Sequence, residues 1–237
     1  MSDQRLAGNV SPTTPVDRLE PAEFRRGPGG RPSRQEAERR HGALLDTSIR
    51  LFLDHGFDAV SIDQIAREGT VAKRFIYARY RDKSALFIAA FEHWAKNRLD
   101  VLQTFAPSAE RAEIGLVKFG RTILDVALEP DALALQRLLI AAAPRFPDLV
   151  ASVVALNRHR GVGEVERVLS FYVSRGEIEL SDMRATAEQF FIGIIGIPQR
   201  LALLGSREPP TQERRRLRLA VRLFLDGCRV RGARSQA

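Results

Sequence analysis

The chain has 237 residues, 44% of them hydrophobic, which is enough to bury the core of one large domain or of two smaller ones. A formal net charge of +8 favours acidic partners such as nucleic acid or an anionic membrane over acidic small substrates. The single cysteine, Cys228, excludes an intramolecular disulfide, so we expect a reducing compartment, with the cytoplasm as the default location.

The two ends of the chain differ in composition from its middle. Residues 1–33 contain five prolines and scattered charges without an apolar stretch, which predicts a disordered arm and fits neither a signal peptide nor a transit helix. Residues 231–237 are predicted to form a disordered tail. The longest strongly apolar run, 190–198, is far short of the roughly 20 residues that a membrane span needs, so no membrane partner is expected.

The first helices are predicted by apolar residues at helical spacing. One helix covers about 34–54 and ends at Gly56, which can adopt a left-handed C-terminal conformation. Ser61 can cap a short second helix that ends near Gly69. A third helix over about 72–80 follows after too few residues for a crossover, which is typical of a helix-turn-helix.

A long fourth helix, capped by Asp82 or Ser84, carries an apolar stripe as far as Phe105 and joins the first unit to the rest. Prolines and a glycine divide the remaining chain into segments of helical length, without sustained alternation of period two. We therefore predict an all-α fold of about nine helices, with a three-helix DNA-binding domain over 34–80 and a helical domain over 81–230.

The segment 61–87, SIDQIAREGTVAKRFIYARYRDKSALF, resembles the DNA-binding motif of the TetR family of bacterial transcriptional regulators. The residues at matching positions are Ile65, Ala66, Val71, Lys73, Ile76, Tyr77, Tyr80, Lys83, Leu86 and Phe87. The turn departs from the family pattern, because Gly69 stands one place early and Thr70 follows it. These departures leave the recognised DNA sequence beyond prediction.

Candidate DNA contacts cluster in this motif, where residues 67–83 carry a net charge of +4. Ser61 offers a hydroxyl and a helix N-terminus to a phosphate, or acts only as a cap. The third helix supplies Lys73, Arg74, Phe75, Tyr77 and Arg79.

Three of the candidates have explicit alternatives. Phe75 can contact a thymine methyl group or pack inward. Of Tyr77 and Tyr80, one ring is expected to pack inward while the other phenol reaches phosphate. The resemblance implies that Lys83 lies against the DNA backbone, the alternative being a solvated lysine.

The segment RRGPGGRPSR precedes the first helix, and Arg31 within it can enter an adjacent minor groove. The alternative is an unstructured solubilising tail. Of these two interpretations, neither is favoured by a single Gly-Arg-Pro triplet.

A dimer is predicted from the segment 184–204, which is apolar on nearly all sides and contains Gly193 and Gly196, where a neighbouring backbone can approach closely. Paired with the last helix, it suggests a four-helix interface between two copies, as in TetR-like regulators. The candidate interface residues are Phe191, Ile194, Ile195, Leu201 and Phe224. The alternative is a plain interior core.

The predicted function is a sequence-specific regulator, most simply a repressor, that binds a palindromic operator in double-stranded DNA as a homodimer. The resemblance implies a small-molecule effector held among helices within 109–172, without naming pocket residues. The alternative is an all-helical nucleic-acid-binding or scaffold protein without ligand-controlled regulation. The four histidines are scattered, and there is no nucleophile or phosphate-loop motif, so we predict no catalytic residues, metal or cofactor. A helical enzyme with dispersed catalytic residues is the third option.

Overall fold

The structure is a computed structural model that describes residues 33–228, and within that range it contains nine helices and no strand, which confirms the all-α prediction. The helices are α1 (Arg34–His55), α2 (Ile62–Glu68), α3 (Lys73–Tyr77), α4 (Lys83–Gln103), α5 (Ala112–Ala127), α6 (Pro130–Ala142), α7 (Pro147–Ser174), α8 (Met183–Leu203) and α9 (Pro210–Cys228). The predictions for the N-terminal arm, including Arg31, and for the C-terminal tail lie outside the described residues.

Local sequence signals set the limits of the first four helices. Gly56 ends α1 with φ of +83°, a region that favours glycine. The hydroxyl of Ser61 accepts a hydrogen bond from the backbone N–H of Gln64 at 3.1 Å and so caps α2. Of the two predicted caps for α4, Asp82 fills the role, with its carboxylate accepting from the N–H of Ala85 at 2.8 Å.

One continuous core runs through the described residues, and α4 is the element that links its two ends. This helix packs on α1 in the N-terminal helix-turn-helix unit and on α5 and α7 behind it. A second link comes from the loop between α6 and α7, where the ring of Phe146 meets that of Phe57 edge-on, 4.8 Å between centroids. Helix α6 also packs directly on α1, so movements among the rear helices have several mechanical routes to the first unit.

Candidate nucleic-acid interface and ligand cavity

Helix α3 has one buried side and one exposed side. Ile76 is fully buried and anchors the helix to the core, whereas Tyr77 is 56% exposed. Arg74 is exposed, and its guanidinium has no ion-pair or hydrogen-bond partner among the described residues. Arg74 and Tyr77 therefore form an outward face that combines a guanidinium with a phenol.

Lys73 and Arg79, two other cations of this region, are engaged within the protein. The ammonium of Lys73 lies 2.5 Å from a carboxylate oxygen of Asp63 on α2. The guanidinium of Arg79 stacks over the half-buried ring of Phe75, 3.8 Å from its centroid. Phe75 also packs against the core, so the structure adopts the inward one of its two predicted orientations.

The two tyrosines divide as expected, one inward and one outward. Tyr80 is half-buried, and its hydroxyl lies 2.5 Å from Nε2 of His41 on α1. Burial, reinforced by the charge of Arg79, lowers the pKa of the His41 imidazole. Tyr80 thus ties the turn between α3 and α4 to α1, and Tyr77 is left facing solvent.

Lys83 points into the protein rather than outward. Its ammonium donates to three backbone carbonyl oxygens in the loop between α1 and α2, those of Phe57 at 2.8 Å, Asp58 at 3.3 Å and Val60 at 3.0 Å. It also lies 4.5 Å above the ring centroid of Phe57. Burial lowers the pKa of this ammonium, and the nearby Asp58 carboxylate partly opposes that effect. All three N–H groups of Lys83 are therefore engaged with this loop. A phosphate contact would require the ammonium to release at least one of these carbonyl groups, and that contact stays a prediction.

The turn between α2 and α3 contains an unusual backbone conformation. Thr70 has φ of +52°, and among the described residues it is the one non-glycine with positive φ. A β-branched side chain in this region is strained, because its Cβ crowds the backbone. The glycine that would relieve the strain stands one position earlier, at Gly69, where an added Cβ would lie 2.9 Å from the carbonyl oxygen of Ile65.

We expect Thr70→Gly to raise the free energy of unfolding by up to about 1 kcal/mol, because relief of the strain outweighs the extra freedom of glycine in the unfolded chain. Urea denaturation measures the change. Thr70→Ala is the matched control, which removes the β-branch but keeps a Cβ, and should gain less. A destabilised Thr70→Gly variant would show that the threonine is favoured at this position.

The predicted dimer residues occupy different environments. Ile194 and Ile195 are 3% and 6% exposed within the single protomer, so they belong to its core and are not available to a second copy. Phe191 is half-buried beside a cavity, and Phe224 packs edge-on against Phe190 of α8. Leu201 is half-buried near the end of α8.

Helices α8 and α9 also carry apolar side chains that are exposed to solvent, and these are different residues from the five predicted for the dimer interface. This exposed apolar surface includes Ile197, Leu204, Leu219 and Leu223, at 52%, 76%, 53% and 64%. Gly193 is also exposed, and a Cβ added there would meet nothing within 4 Å. No described part of the protomer occupies the space beside this glycine.

A cavity of about 450 Å³ lies among α4, α5, α6, α7 and α8. Aliphatic and aromatic side chains form most of its wall, including Phe91, Trp94 and Phe191. Polar lining comes from Gln136, Asn157 and Gln199 among other residues. This volume is in the range that holds one drug-sized molecule. The sequence named no pocket residue, because helical spacing alone does not separate a cavity wall from an outer surface.

The described residues also bear on metal binding and on membrane insertion. Within residues 33–228, no three side chains of the metal-binding types come together in an arrangement that could hold an ion. Over the same range, no helix is both long enough and apolar enough to cross a membrane.

The geometry defines a class of protein in which a helix-turn-helix with an exposed basic and aromatic face is built onto a helical domain that encloses a ligand-sized cavity. Comparison with known proteins agrees with that class. Residues 44–90 match the family model "Bacterial regulatory proteins, tetR family". Residues 115–227 match the model "AefR-like transcriptional repressor, C-terminal domain". The two matches together cover about two thirds of the chain, and the chain belongs to the TetR family of bacterial transcriptional regulators.

Individual relatives resemble this chain over a short segment or at low sequence identity. The uncharacterized HTH-type transcriptional regulator YdeS of Bacillus subtilis is 39% identical over 71 residues, which are 30% of this chain and 36% of that protein. A TetR-family regulator from Mesorhizobium loti has a solved structure with a TM-score of 0.73 at 24% identity, over 82% of this chain and 98% of that one. The flavonoid-responsive regulator FrrA has a TM-score of 0.67 at 24% identity, over 82% of this chain and 100% of that one. At this level of identity the two solved structures show a shared fold.

Proposed function

We propose that this protein is a repressor that binds a palindromic operator as a homodimer and leaves it when a small molecule fills the cavity. The observation that carries the proposal is the pairing of two features on one continuous core. An exposed guanidinium and phenol stand on α3, at Arg74 and Tyr77, and α4 connects that unit to the walls of the cavity. The first feature suits DNA, and the second suits a ligand.

One protomer carries a single copy of α3 and so offers DNA one recognition helix. Two recognition helices that dock in successive major grooves must lie about 34 Å apart, which requires a second copy related by twofold symmetry. We infer that the exposed apolar surface of α8 and α9, formed by Ile197, Leu204, Leu219 and Leu223, is where that copy packs. The open space beside Gly193 supports this choice, because it permits close approach of a partner helix.

We expect Leu204→Glu combined with Leu223→Glu to convert the dimer into monomers, because two carboxylates per protomer would be buried without partners in the seam. Sedimentation equilibrium measures the change in mass. The matched control is Ile140→Glu, since Ile140 is 62% exposed but stands on α6, away from that surface. A double variant that remains as dimeric as the control would move the interface elsewhere.

Release from DNA is proposed to use two of the links between the two units, helix α4 and the loop between α6 and α7. A ligand that spreads α4 from α7 alters the angle at which α4 carries α3. The second link is the loop between α6 and α7, where Arg145 forms an ion pair with Asp58 and Phe146 contacts Phe57. Asp58 and Phe57 belong to the loop whose carbonyl groups accept hydrogen bonds from Lys83. A displacement of this loop therefore reaches the start of α4 directly.

The ligand-responsive part of the proposal rests on this chain's own cavity. FrrA, which shares the fold, is named for its response to flavonoids, and the aromatic lining of the cavity here is compatible with a flat ligand. A ligand releases DNA only to the extent that it binds the DNA-incompetent conformation more tightly. DNA must weaken ligand binding by the same factor.

Selection of bound duplexes from a random pool by the full chain tests the proposal. We expect enrichment of a palindrome that binds at least about a thousandfold more tightly than a scrambled duplex at the same salt concentration. Tight binding without an enriched sequence would instead favour a nucleic-acid-binding or scaffold protein that lacks control of particular genes. Failure to bind any duplex would contradict both functions.

A further inference from the structure

The cavity is not closed on every side within one protomer. Most of the residues that line it are buried or half-buried, and those that are exposed stand on two neighbouring helices. They are Val154, Asn157 and Arg158 of α7 and Ile192 of α8. Because an exposed lining residue borders the cavity as well as the solvent, the mouth of the cavity lies between α7 and α8.

Two of the residues at this mouth are large and apolar. Val154 is 50% exposed and Ile192 is 59% exposed. Each therefore presents an apolar group to solvent at the edge of a cavity whose wall is mostly apolar. Exposed apolar surface that borders a binding site is typical of a place that another molecule covers.

Ile192 also borders the surface of α8 on which the second copy is inferred to pack. Gly193, with open space beside it, is the next residue in the chain. A Cβ added to Gly196 would lie 3.8 Å from Cγ2 of Ile192, so this side chain leans along α8 toward Ile197. The mouth of the cavity and the inferred seam between protomers are therefore contiguous along α8.

The size of a stable interface carries the second copy over this mouth. Such an interface takes in about 20 to 30 residues from each partner, so it must extend well beyond the four apolar residues named above. Ile192 lies about 7.5 Å before Ile197 along the helix. A partner helix about 10 Å across that packs against Gly193 also covers Ile192.

We propose that the ligand site is completed by the second copy of the chain, which covers the mouth between α7 and α8 and supplies the wall that one protomer lacks. This inference rests on the proposed function, because it takes the seam on α8 and α9 from it. Each dimer then holds two sites, and a bound ligand lies against the seam. A ligand whose shape spreads the seam alters the distance between the two copies of α3 directly.

Fluorescence titration of the full chain with a neutral solvatochromic dye, 6-propionyl-2-(dimethylamino)naphthalene, tests the proposal. The parent is compared with the variant that combines Leu204→Glu and Leu223→Glu, since neither leucine lines the cavity. We expect the monomeric variant to bind the dye at least about tenfold more weakly, because about 60 Å² of the dye that the partner covers in the dimer stays in water. The emission of the bound dye should also move to longer wavelength.

Two further variants serve as controls for this titration. Ile140→Glu adds a carboxylate at an exposed position of α6 outside the cavity wall, and should bind the dye as the parent does. Ala132→Trp fills the cavity from α6 and should remove dye binding from both the dimer and the monomeric variant. Circular dichroism verifies that each variant keeps the helical content of the parent.

The same coupling can be measured in the opposite direction. Leu223→Glu alone should weaken the dimer without abolishing it, so that sedimentation equilibrium can follow its dissociation. Saturating dye should lower the dimer dissociation constant of this variant about a hundredfold, because each of two sites contributes about tenfold and the coupling is reciprocal.

The possible failures are distinguishable. Equal dye affinity in the parent and the monomeric variant, or a dimer dissociation constant of Leu223→Glu that ignores the dye, would overturn the shared site and leave the DNA-binding function untouched. Binding that survives Ala132→Trp, or no binding by the parent, would contradict the cavity as the ligand site. A double variant that stays dimeric would remove the proposed seam and the shared site together, whereas selection of duplexes tests operator binding independently.

Discussion

Arg74→Ala is expected to weaken operator binding by between about 30-fold and about 20,000-fold. Arg74 is exposed on α3 and has no partner among the described residues, so its guanidinium reaches DNA without first breaking an ion pair. A well-placed arginine contact with a base is worth about 1 to 3 kcal/mol, and a twofold dimer makes each contact twice. Fluorescence anisotropy with the selected duplex, at fixed salt, measures the loss.

Two companion variants show whether the effect belongs to this face. Lys73→Ala should cost less, because the lysine must leave Asp63, 2.5 Å away, before it can reach DNA. Arg214→Ala removes an exposed arginine of α9, far along the chain from the motif, and should leave affinity within about twofold of the parent, as ordinary surface substitutions do. The proposed docking face would have to be abandoned if Arg74→Ala lost no more than Arg214→Ala.

The largest effect on stability is expected at Phe57, where Phe57→Ala should lower the free energy of unfolding by about 3 to 5 kcal/mol. The ring is 4% exposed and lies between Phe52, Phe87 and Phe146, at centroid distances of 5.7, 5.5 and 4.8 Å. Its loss would leave a void where α1, α4 and the loop between α6 and α7 meet. Chemical denaturation measures the change.

Phe146→Ala is the matched control for Phe57, because it truncates the partner ring on the other side of the same contact. Phe146 is only half-buried, so its loss should cost about half as much. Phe57→Leu should lose less than about 1.5 kcal/mol, since it retains most of the side-chain volume. Equal costs for Phe57→Ala and Phe146→Ala would mean that the junction is less tightly packed than the geometry indicates.

The motif region was largely predictable from sequence because its signals are local. A serine just before an apolar helix commonly caps its start, and a glycine just after one commonly ends it. Ser61 caps α2 and Gly56 ends α1, as predicted. The division between Tyr77 and Tyr80 was predicted from a spacing of three on a helix over 72–80, although α3 ends at Tyr77 and Tyr80 lies in the following turn. Lys83 shows the limit of such reasoning, because the three carbonyl groups that it meets belong to a loop more than twenty residues earlier in the chain.

The orientation of α8 could not be read from its sequence. A helix that is apolar on nearly all sides has no polar face to show which side turns outward. Contact with α5 fixes which side of α8 is buried. Ile194 packs so close to Gly120 of α5 that a Cβ added to this glycine would lie 3.3 Å from the isoleucine side chain. Ile194 and Ile195 are consequently buried in the protomer, and Ile197 and Leu204 are exposed. The cavity was hidden for a related reason, since it arises from five helices that meet only in the folded chain.

Hydroxyl-radical footprinting of the full chain on its selected duplex tests the central claim most directly, because it reports where two copies of α3 lie on the DNA. We expect two protected segments on one face of the duplex, with centres about 34 Å or a whole number of helical turns apart. At the same protein concentration, the protection should vanish for Arg74→Ala and persist for Arg214→Ala. A single protected segment, or uniform protection without spacing, would contradict a dimeric regulator that reads an operator through α3.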